Sequence, residues 1–384
     1  MKIIFKKPKK YNVAILYSDD FWIRFAILGK VSSITIPIYP NKIVIEANYS
    51  ILYSFFLNLF LYKFKRDENL IRFLYKIYLI SIFDCIDAKI IITYIDNSDF
   101  FYEISDLDRK NDDLRTYIAV QNGARTNACV RFSRENKKNI INKKAILYCY
   151  GERDVDLYKK NGHQIIRHIP IGSLVSGYFK SVVSKHGDSS RKGICFISQW
   201  HQEFYKDEAL NNDYAKVVSR QNRVSINILV SYLNQLSLET NLILRICLRS
   251  NNIEEEKFYK EKCPKIEILK KEKDGFSTYR IAEKSELVIA LNSTVLSEVF
   301  LWDNKVLWCN PLSIQTFSMP DAGISYIEGS YQDFKDRVQY LISLENSEYK
   351  NLTENNSKYI NSLNISTPPH LIIYNEIISR ININ

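Results

Sequence analysis

The sequence predicts an α/β protein of two domains, each built on a parallel sheet with helices on both faces. Three observations lead to this prediction. The chain has 384 residues, which exceeds the usual size of a single hydrophobic core. Its short apolar runs are continuous rather than alternating, as in strands that are buried on both faces. Helical segments separate these runs, and this order favours parallel strands.

The first half of the chain alternates strands with helices, and we predict that residues 1–172 form the N-terminal domain. Its first strand is YNVAILY at residues 11–17. Further strands are predicted at residues 32–39, 89–96, 116–123, 144–151 and 164–172. Helices are expected at 51–83 and at 152–162, where Gly162 suits the left-handed conformation that ends a helix.

A second series of strands follows a polar segment, residues 173–192, which we interpret as an interdomain linker. Residues 193–384 are predicted to form the C-terminal domain. Its strands are predicted at residues 193–199, 241–249, 265–270, 286–292 and 305–310, and its helices near residues 219–238, 253–262, 276–284 and 294–303. We expect the last helices, near 331–346 and 370–381, to pack back across the domain boundary.

Two successive β/α domains joined by a linker imply a cleft between them. In open parallel sheets, ligands bind at the carboxyl ends of the strands. We therefore expect the functional residues where strands end.

The charge of the chain favours an anionic partner. Its formal net charge is +10, from 53 Lys and Arg against 43 Asp and Glu. Nucleic acid, an anionic membrane surface and phosphorylated small molecules all suit such a chain, and a basic surface that contacts only solvent is the alternative. Because the sequence has neither an RNA-binding signature nor a basic helix with base-reading spacing, we predict no nucleic-acid partner.

Cysteine and histidine spacing predicts neither disulfides nor a metal site. The seven cysteines include no CxxC pair, and several lie in apolar strands, which indicates free thiols in a reducing cytoplasm. The five histidines have no HxxxH or HExxH spacing, so we expect no metal. The N-terminus does not resemble a signal peptide. The prediction is a cytoplasmic protein.

The most apolar segment, residues 51–85, is interrupted by KFKRDEN. Each apolar half is shorter than the roughly 20 residues that a membrane span needs. We expect two buried helices here. The alternative is a peripheral contact with the inner membrane through Lys and aromatic side chains, which suit the headgroup layer.

The stretch ALNSTVLSEVF carries the strongest candidate site. A buried strand delivers Asn292, Ser293 and Thr294 to the start of a helix, where free N–H groups and the helix dipole favour a phosphate. Glu298 lies one turn further along and could accept hydrogen bonds from a ribose. In the alternative interpretation, Ser293 or Thr294 only caps the helix. A cap explains one hydroxyl but not the whole cluster.

Two other strand ends of the second domain carry polar residues. Arg249 follows LRICL and could hold a phosphate or carboxylate with two hydrogen bonds, or simply lie on the surface. The strand ICFIS ends at Ser198 and Gln199, which we assign to donor binding together with Arg249.

The first domain offers two clusters at strand ends. Gln121, Asn122 and Arg125 follow YIAV and suit a polyhydroxylated or anionic ligand, although Asn-Gly alone can mark a tight turn. Glu152 and Asp154 begin a helix, where acidic side chains either stabilise the helix dipole or act in catalysis. A carboxylate at a helix start tends to stay ionised, which favours a base or nucleophile over an acid.

These motifs occur together in a known order. VQNGAR, YGERDVDLYKKNGH, IPIGSL, ICFISQW, ILRICLRS and ALNSTVLSEVFLWDNKVLWCNP follow one another within residues 115–311. The set resembles a family of bacterial surface-carbohydrate enzymes that make O-antigen and lipopolysaccharide. It is similar to the retaining β-Kdo transferases, which move 3-deoxy-manno-octulosonic acid (Kdo) from CMP-Kdo onto a growing glycan.

The resemblance implies a GT-B-like fold, with two Rossmann-like β/α domains facing each other across a cleft. It implies no essential metal and no cofactor besides the donor nucleotide sugar. In that class the second domain binds the nucleotide, so Ser293, Thr294 and Glu298 would hold CMP. The first domain mainly binds the acceptor, a glycan or lipid-linked glycan at the cytoplasmic membrane face.

The resemblance also implies a carboxylate nucleophile that forms a covalent sugar adduct. Glu152 and Asp154 are the leading candidates, and Glu203 and Asp207 come after them. Two other functions compete with glycosyl transfer: a sugar-nucleotide epimerase of the same fold, and a non-catalytic glycan-binding scaffold. The turn after YNVAILY lacks GxGxxG, which counts against a dinucleotide oxidoreductase.

Overall fold

The protein forms two compact units in a computed structural model. The model describes residues 2–3, 8–17, 22–29, 31–38, 46–62, 69–108, 115–125, 140–184, 191–202, 213–291, 293–302, 304–314 and 324–382. Unit 1 comprises Met1–Tyr178 with Leu363–Asn384, and unit 2 comprises Phe179–Ser362. Each unit is an α/β layer structure with its own sheet.

Unit 1 contains a sheet of six parallel strands in the order β3-β2-β5-β6-β7-β8. The strands of unit 1 are β1 (Lys2–Ile3), β2 (Val13–Leu16), β3 (Ser33–Ile36), β4 (Glu46–Ala47), β5 (Ile90–Thr93), β6 (Thr116–Val120), β7 (Ile140–Cys149) and β8 (His163–Pro170). β1 and β4 form a separate parallel pair. The helices of unit 1 are a π-type turn (Ile23–Leu28), α1 (Tyr49–Leu61), α2 (Leu70–Ile86), α3 (Asp99–Leu107), α4 (Glu152–Lys160), α5 (Leu174–Tyr178) and α12 (Pro369–Asn382).

The core of unit 1 lies on its central strands. All four residues of β2 and of β5 are buried, as the continuous apolar runs predict. Helices α2 and α3 cover these strands through side chains such as Phe83 and Phe101. Gly162, which follows α4, has φ of +81°, which confirms the predicted left-handed helix end.

The expectation of two buried helices in residues 51–85 is wrong for the first of them. Helix α2 buries nine of its residues, whereas α1 buries only Ile51 and Asn58. The sequence of α1 is apolar on nearly every side, so its pattern gives no face to bury. Within the described residues, no helix has both the length and the hydropathy needed to cross a bilayer.

Unit 2 contains six parallel strands in the order β11-β10-β9-β12-β13-β14. Its strands are β9 (Ile194–Ile197), β10 (Leu244–Cys247), β11 (Glu267–Leu269), β12 (Leu287–Ala290), β13 (Lys305–Asn310) and β14 (Ser325–Ile327). Its helices are a π-type turn (Phe179–Val183), α6 (Asp213–Glu239), α7 (Ile253–Lys262), α8 (Ser277–Lys284), α9 (Thr294–Val299) with a 3-10 turn (Phe300–Trp302), α10 (Tyr331–Ser343) and α11 (Asn346–Ile360). With the first strand third in the sheet, this is the doubly wound Rossmann order.

The structure adds two features to the predicted outline and divides the last helices between the two units. A short sixth strand, β14, extends the sheet of unit 2 beyond β13. The segment predicted as a linker contains α5 and the π-type turn Phe179–Val183, and the chain passes from unit 1 to unit 2 after Tyr178. Of the last helices that were expected to cross the domain boundary, α12 belongs to unit 1, where Arg380 donates to the Thr116 hydroxyl over 2.9 Å, whereas α10 belongs to unit 2.

Candidate functional site

A pocket of about 410 Å³ opens at the carboxyl edge of the unit 2 sheet. Strands β9 and β12 are neighbours there, and the chain continues from β9 toward one edge of the sheet and from β12 toward the other. This is the topological switch point at which open α/β sheets bind ligands. The pocket is lined by Ile197, Ser198, Gln199, Asn222, Leu248, Arg249, Lys271, Thr278, Ser293, Thr294 and Val295. Five of the seven residues predicted for donor binding therefore come together in one place.

Ser293 and Thr294 enter the pocket from the end of β12. Ser293 is the N-cap residue of α9, yet its side chain makes no capping hydrogen bond. Capping therefore does not explain this hydroxyl. Both residues are half-buried and line the pocket, where their hydroxyls can meet a ligand.

Arg249 and Lys271 give the pocket a positive charge. Arg249 follows β10 and Lys271 follows β11, so both lie at the carboxyl edge of the sheet. Partial loss of solvent around the ammonium group lowers the pKa of Lys271; Glu255 opposes this, and the like charge of Arg249 adds to it. The described residues that line the pocket include no carboxylate. Two cations that repel each other in a pocket rich in hydroxyls favour an anionic ligand.

Glu255 connects the segments after β9 and β10, and residues of both segments line the pocket. Its buried carboxylate accepts hydrogen bonds from the backbone N–H groups of Arg249 and Ser250, over 2.8 and 3.0 Å, and from the Ser250 hydroxyl over 3.0 Å. The Ser198 hydroxyl also donates to Glu255, and the Tyr259 hydroxyl donates to Ser198 over 2.8 Å. Glu255 lies among three consecutive glutamates and was not predicted. Its i,i+4 spacing from the buried Tyr259 is the signal that marks the inward face of α7.

The other residues predicted for this site lie elsewhere. Glu298 is buried beside Tyr279, whose hydroxyl donates to its carboxylate over 2.6 Å, and it does not line the pocket. Asn292, Glu203 and Asp207 lie outside the described residues. In the part of the chain that the structure describes, no three His, Cys, Asp or Glu side chains are grouped as metal ligands would be.

The corresponding edge of the unit 1 sheet carries a buried ion pair. Arg125 donates to Asp96 through two nitrogens, one of them over 2.8 Å, and both residues are buried. The Tyr158 hydroxyl donates to the same carboxylate. Asn122 is exposed, and its side-chain oxygen accepts from Arg125 over 2.6 Å. Asp96 was not predicted. It lies shortly after the end of β5, as Arg125 lies shortly after the end of β6, so the expectation that functional residues follow strands could have identified it.

Gln121 and Asp154 form a second buried pair in unit 1. The Gln121 amide donates to Asp154 and to the Gly123 carbonyl, and its oxygen accepts from the Tyr150 N–H over 2.9 Å. We expected the start of a helix to keep the Asp154 carboxylate ionised, but its burial favours the protonated form instead. Burial raises the pKa of Asp154 to about 6, although Arg153 and Gln121 oppose the shift. Glu152, in contrast, is exposed to solvent.

Comparison with solved structures defines the class of fold. S. aureus MnaA with UDP matches with a TM-score of 0.51 at 13% identity, over 97% of this chain and 95% of that chain. UDP-GlcNAc 2-epimerase from Neisseria meningitidis, bound to UDP-GlcNAc, gives 0.54 at 12% identity, over 97% and 99%. The wall teichoic acid polymerase TagF gives 0.53 at 10% identity, over 97% and 91%. With its two Rossmann-like α/β units, the protein has a GT-B-like fold, which confirms the predicted fold class.

The family is shown by its sequence model. A model of the family described as "putative O-antigen biosynthesis protein" matches residues 118–317, which is more than half of the chain. The chain therefore belongs to this family. A comparison with curated protein sequences finds no match.

Proposed function

We propose that the protein is a glycosyltransferase of surface-glycan biosynthesis and binds its nucleotide-sugar donor in the unit 2 pocket. The observation that supports this most strongly is the pocket itself, with two cations and four hydroxyl side chains at the switch point of a Rossmann sheet. Two proteins of similar fold were solved with UDP or UDP-GlcNAc, and a third is a wall teichoic acid polymerase. The family description agrees with a role in O-antigen synthesis.

The pocket residues have definite parts in this reaction. As the bond between the sugar and the phosphate breaks, negative charge grows on the departing phosphate oxygen. Arg249 and Lys271 would offset that charge, and Ser293 and Thr294 would donate hydrogen bonds to the same group. Donors held in place before the reaction stabilise the developing charge without reorganising. We propose on this basis that the transfer needs no metal ion.

The donor sugar is proposed from the resemblance to the β-Kdo transferases. Transfer from CMP-Kdo with retention needs an ionised carboxylate that reaches the anomeric carbon. Of the two leading candidates, Glu152 is open to solvent, whereas Asp154 is buried beneath Gln121. We therefore assign the nucleophile to Glu152 in this mechanism and a positioning role to Asp154. The acceptor is proposed to be a glycan or lipid-linked glycan that binds to unit 1.

A sugar-nucleotide epimerase is the second candidate, because the N. meningitidis epimerase matches over nearly the whole length of both chains. The experiment is to incubate the protein with CMP-Kdo, UDP-GlcNAc and GDP-mannose, each with and without a lipopolysaccharide-derived acceptor, and to follow both free nucleotide and sugar configuration. Nucleotide release that depends on acceptor supports transfer. Conversion of the sugar without acceptor supports the epimerase. Binding of acceptor with no response to any nucleotide sugar would make the protein a scaffold.

A further inference from the structure

Helix α1 exposes a continuous apolar face. Its exposed side chains are Tyr49, Leu52, Tyr53, Phe56, Leu57, Phe60 and Leu61. Phe60 is 88% exposed and Tyr53 is 73% exposed, whereas large apolar side chains are normally buried. Leu70 and Ile71, at the start of α2, are exposed as well, and α2 packs against α1. We call these nine residues the α1 face.

The opposite side of α1 faces the protein and combines Ile51 and Phe55, which pack in the core, with the polar residues Ser54 and Asn58. Asn58 is fully buried, and its amide donates to Asp84 over 2.9 Å and to the Ser81 hydroxyl over 3.0 Å. The Ser54 hydroxyl donates to the same Asp84 carboxylate over 3.3 Å. Helix α1 thus exposes most of its large apolar side chains, whereas a surface helix of a water-soluble domain places its apolar side against the core. This exposure indicates that the α1 face meets an apolar medium.

The size of the α1 face argues against a second copy of the chain as that medium. A stable interface between two proteins uses about 20–30 residues from each side. The α1 face has nine exposed apolar side chains and lies on one helix and one helical turn. A membrane surface has no such minimum, because each apolar side chain that enters it adds to the affinity.

Charge and length indicate the kind of membrane contact. The chain carries a net charge of +10, which favours an anionic bilayer, and α1 itself contains no charged residue. A helix of 13 residues is about 20 Å long, which is too short to span the hydrocarbon core but suits a helix in the plane of the interface. We propose that the α1 face docks unit 1 on an anionic phospholipid bilayer, with α1 lying in the interface. This proposal does not depend on the nucleotide pocket, which lies in unit 2.

The experiment is flotation of the full chain with vesicles of phosphatidylethanolamine and phosphatidylglycerol, and with vesicles of phosphatidylcholine alone. We expect the wild type to bind the phosphatidylglycerol vesicles and to bind neutral vesicles more weakly. The double variant Tyr53→Asp, Phe60→Asp should bind at least tenfold more weakly, with an unchanged melting temperature, because both side chains point into solvent. The single variant Phe60→Ser, which adds no charge, should bind the phosphatidylglycerol vesicles several-fold more weakly than the wild type.

A charge-matched control is the double variant Ile253→Asp, Leu371→Asp, which alters exposed apolar residues in other helices and should bind like the wild type. The proposal is overturned if the wild type does not bind phosphatidylglycerol vesicles, or if the control loses as much binding as the α1 variant. It is also overturned if the wild type is a dimer that Tyr53→Asp, Phe60→Asp dissociates, without vesicle binding. The response to nucleotides should be the same in all these variants, so failure here is separate from failure of the proposed function.

Discussion

The carboxyl edges of the two sheets have the same position in each unit but opposite character. In unit 1, four polar side chains are buried and hydrogen-bond in pairs, Arg125 with Asp96 and Gln121 with Asp154. In unit 2 they line an open pocket in which Arg249 and Lys271 repel each other. A strand end alone therefore does not identify a binding site. The difference is that Arg125 forms an ion pair with a buried carboxylate, whereas Arg249 and Lys271 form no ion pair with the described residues.

The largest expected effect concerns the buried ion pair at the carboxyl edge of the unit 1 sheet. Arg125→Met leaves the Asp96 carboxylate buried without its cation, and breaking a buried pair in this way costs about 3–5 kcal/mol. Urea unfolding measures this loss. Asp96→Asn combined with Arg125→Met should recover most of it. As a control, Lys358→Met breaks an exposed helical pair with Glu354 and should cost under about 1 kcal/mol. If Arg125→Met and Lys358→Met lose similar free energies of unfolding, the difference between the buried and the exposed ion pair is contradicted.

The second effect concerns pH and Asp154. Its folded pKa of about 6 lies above its ordinary value of 3.8, so the folded state holds the proton more tightly. The stability that this group contributes is complete below about pH 4 and is lost as the pH rises through 6. The loss is about 3 kcal/mol, at 1.36 kcal/mol per pKa unit.

Asp154→Asn should therefore lose less stability than the wild type between pH 4 and pH 7, by about that amount. Urea unfolding of both proteins at several pH values checks this. If the free energies of unfolding of the two proteins change with pH in the same way, burial does not raise the pKa of Asp154.

The third effect concerns Glu255, the buried carboxylate that hydrogen-bonds to the segments lining the unit 2 pocket. Glu255→Gln replaces an acceptor of four hydrogen bonds with an amide. Because the Arg249 and Ser250 N–H groups donate to different carboxylate oxygens, the amide NH2 group must face one of these two donors. We expect a stability loss of about 1–3 kcal/mol and at least tenfold weaker nucleotide binding, because both pocket loops shift. Titration calorimetry measures the binding. Glu256→Gln, which alters a neighbour paired with Lys260 and Lys270, should leave binding unchanged.

The smallest effect separates binding from capping at Ser293. Its side chain makes no capping hydrogen bond, so Ser293→Ala should leave the melting temperature of the free protein within error. Loss of a hydrogen bond to a phosphate should weaken nucleotide binding by about 1.5 kcal/mol, which is roughly tenfold. The opposite result, a lower melting temperature with unchanged affinity, would make Ser293 a cap.

The sequence predicts most of the fold because both sheets are built from continuous apolar runs, such as VAIL in β2 and LVIA in β12. It predicts five of the pocket residues because strand ends meet at one edge of a parallel sheet. It does not predict which polar residues at the strand ends are buried against a partner. The partner of Arg125 lies 29 positions earlier, at the end of another strand, and only the strand order brings the two together. For α1, a sequence that is apolar on nearly every side does not reveal which side faces the protein, and the hydrogen bond of Asn58 to Asp84 marks that side.

The most direct test of the nucleotide pocket is the thermal stability of the wild type and of the double variant Arg249→Ala, Lys271→Ala with CMP, CDP, UDP, GDP and dTDP. A nucleotide at 100 times its dissociation constant should stabilise the wild type by about 2.7 kcal/mol, and the variant should lose most of this stabilisation. Stabilisation by CMP alone would support a CMP-sugar donor, and stabilisation by UDP or GDP would replace Kdo with another sugar. If no nucleotide stabilises the wild type, or if the variant responds equally, the unit 2 pocket is not the donor site.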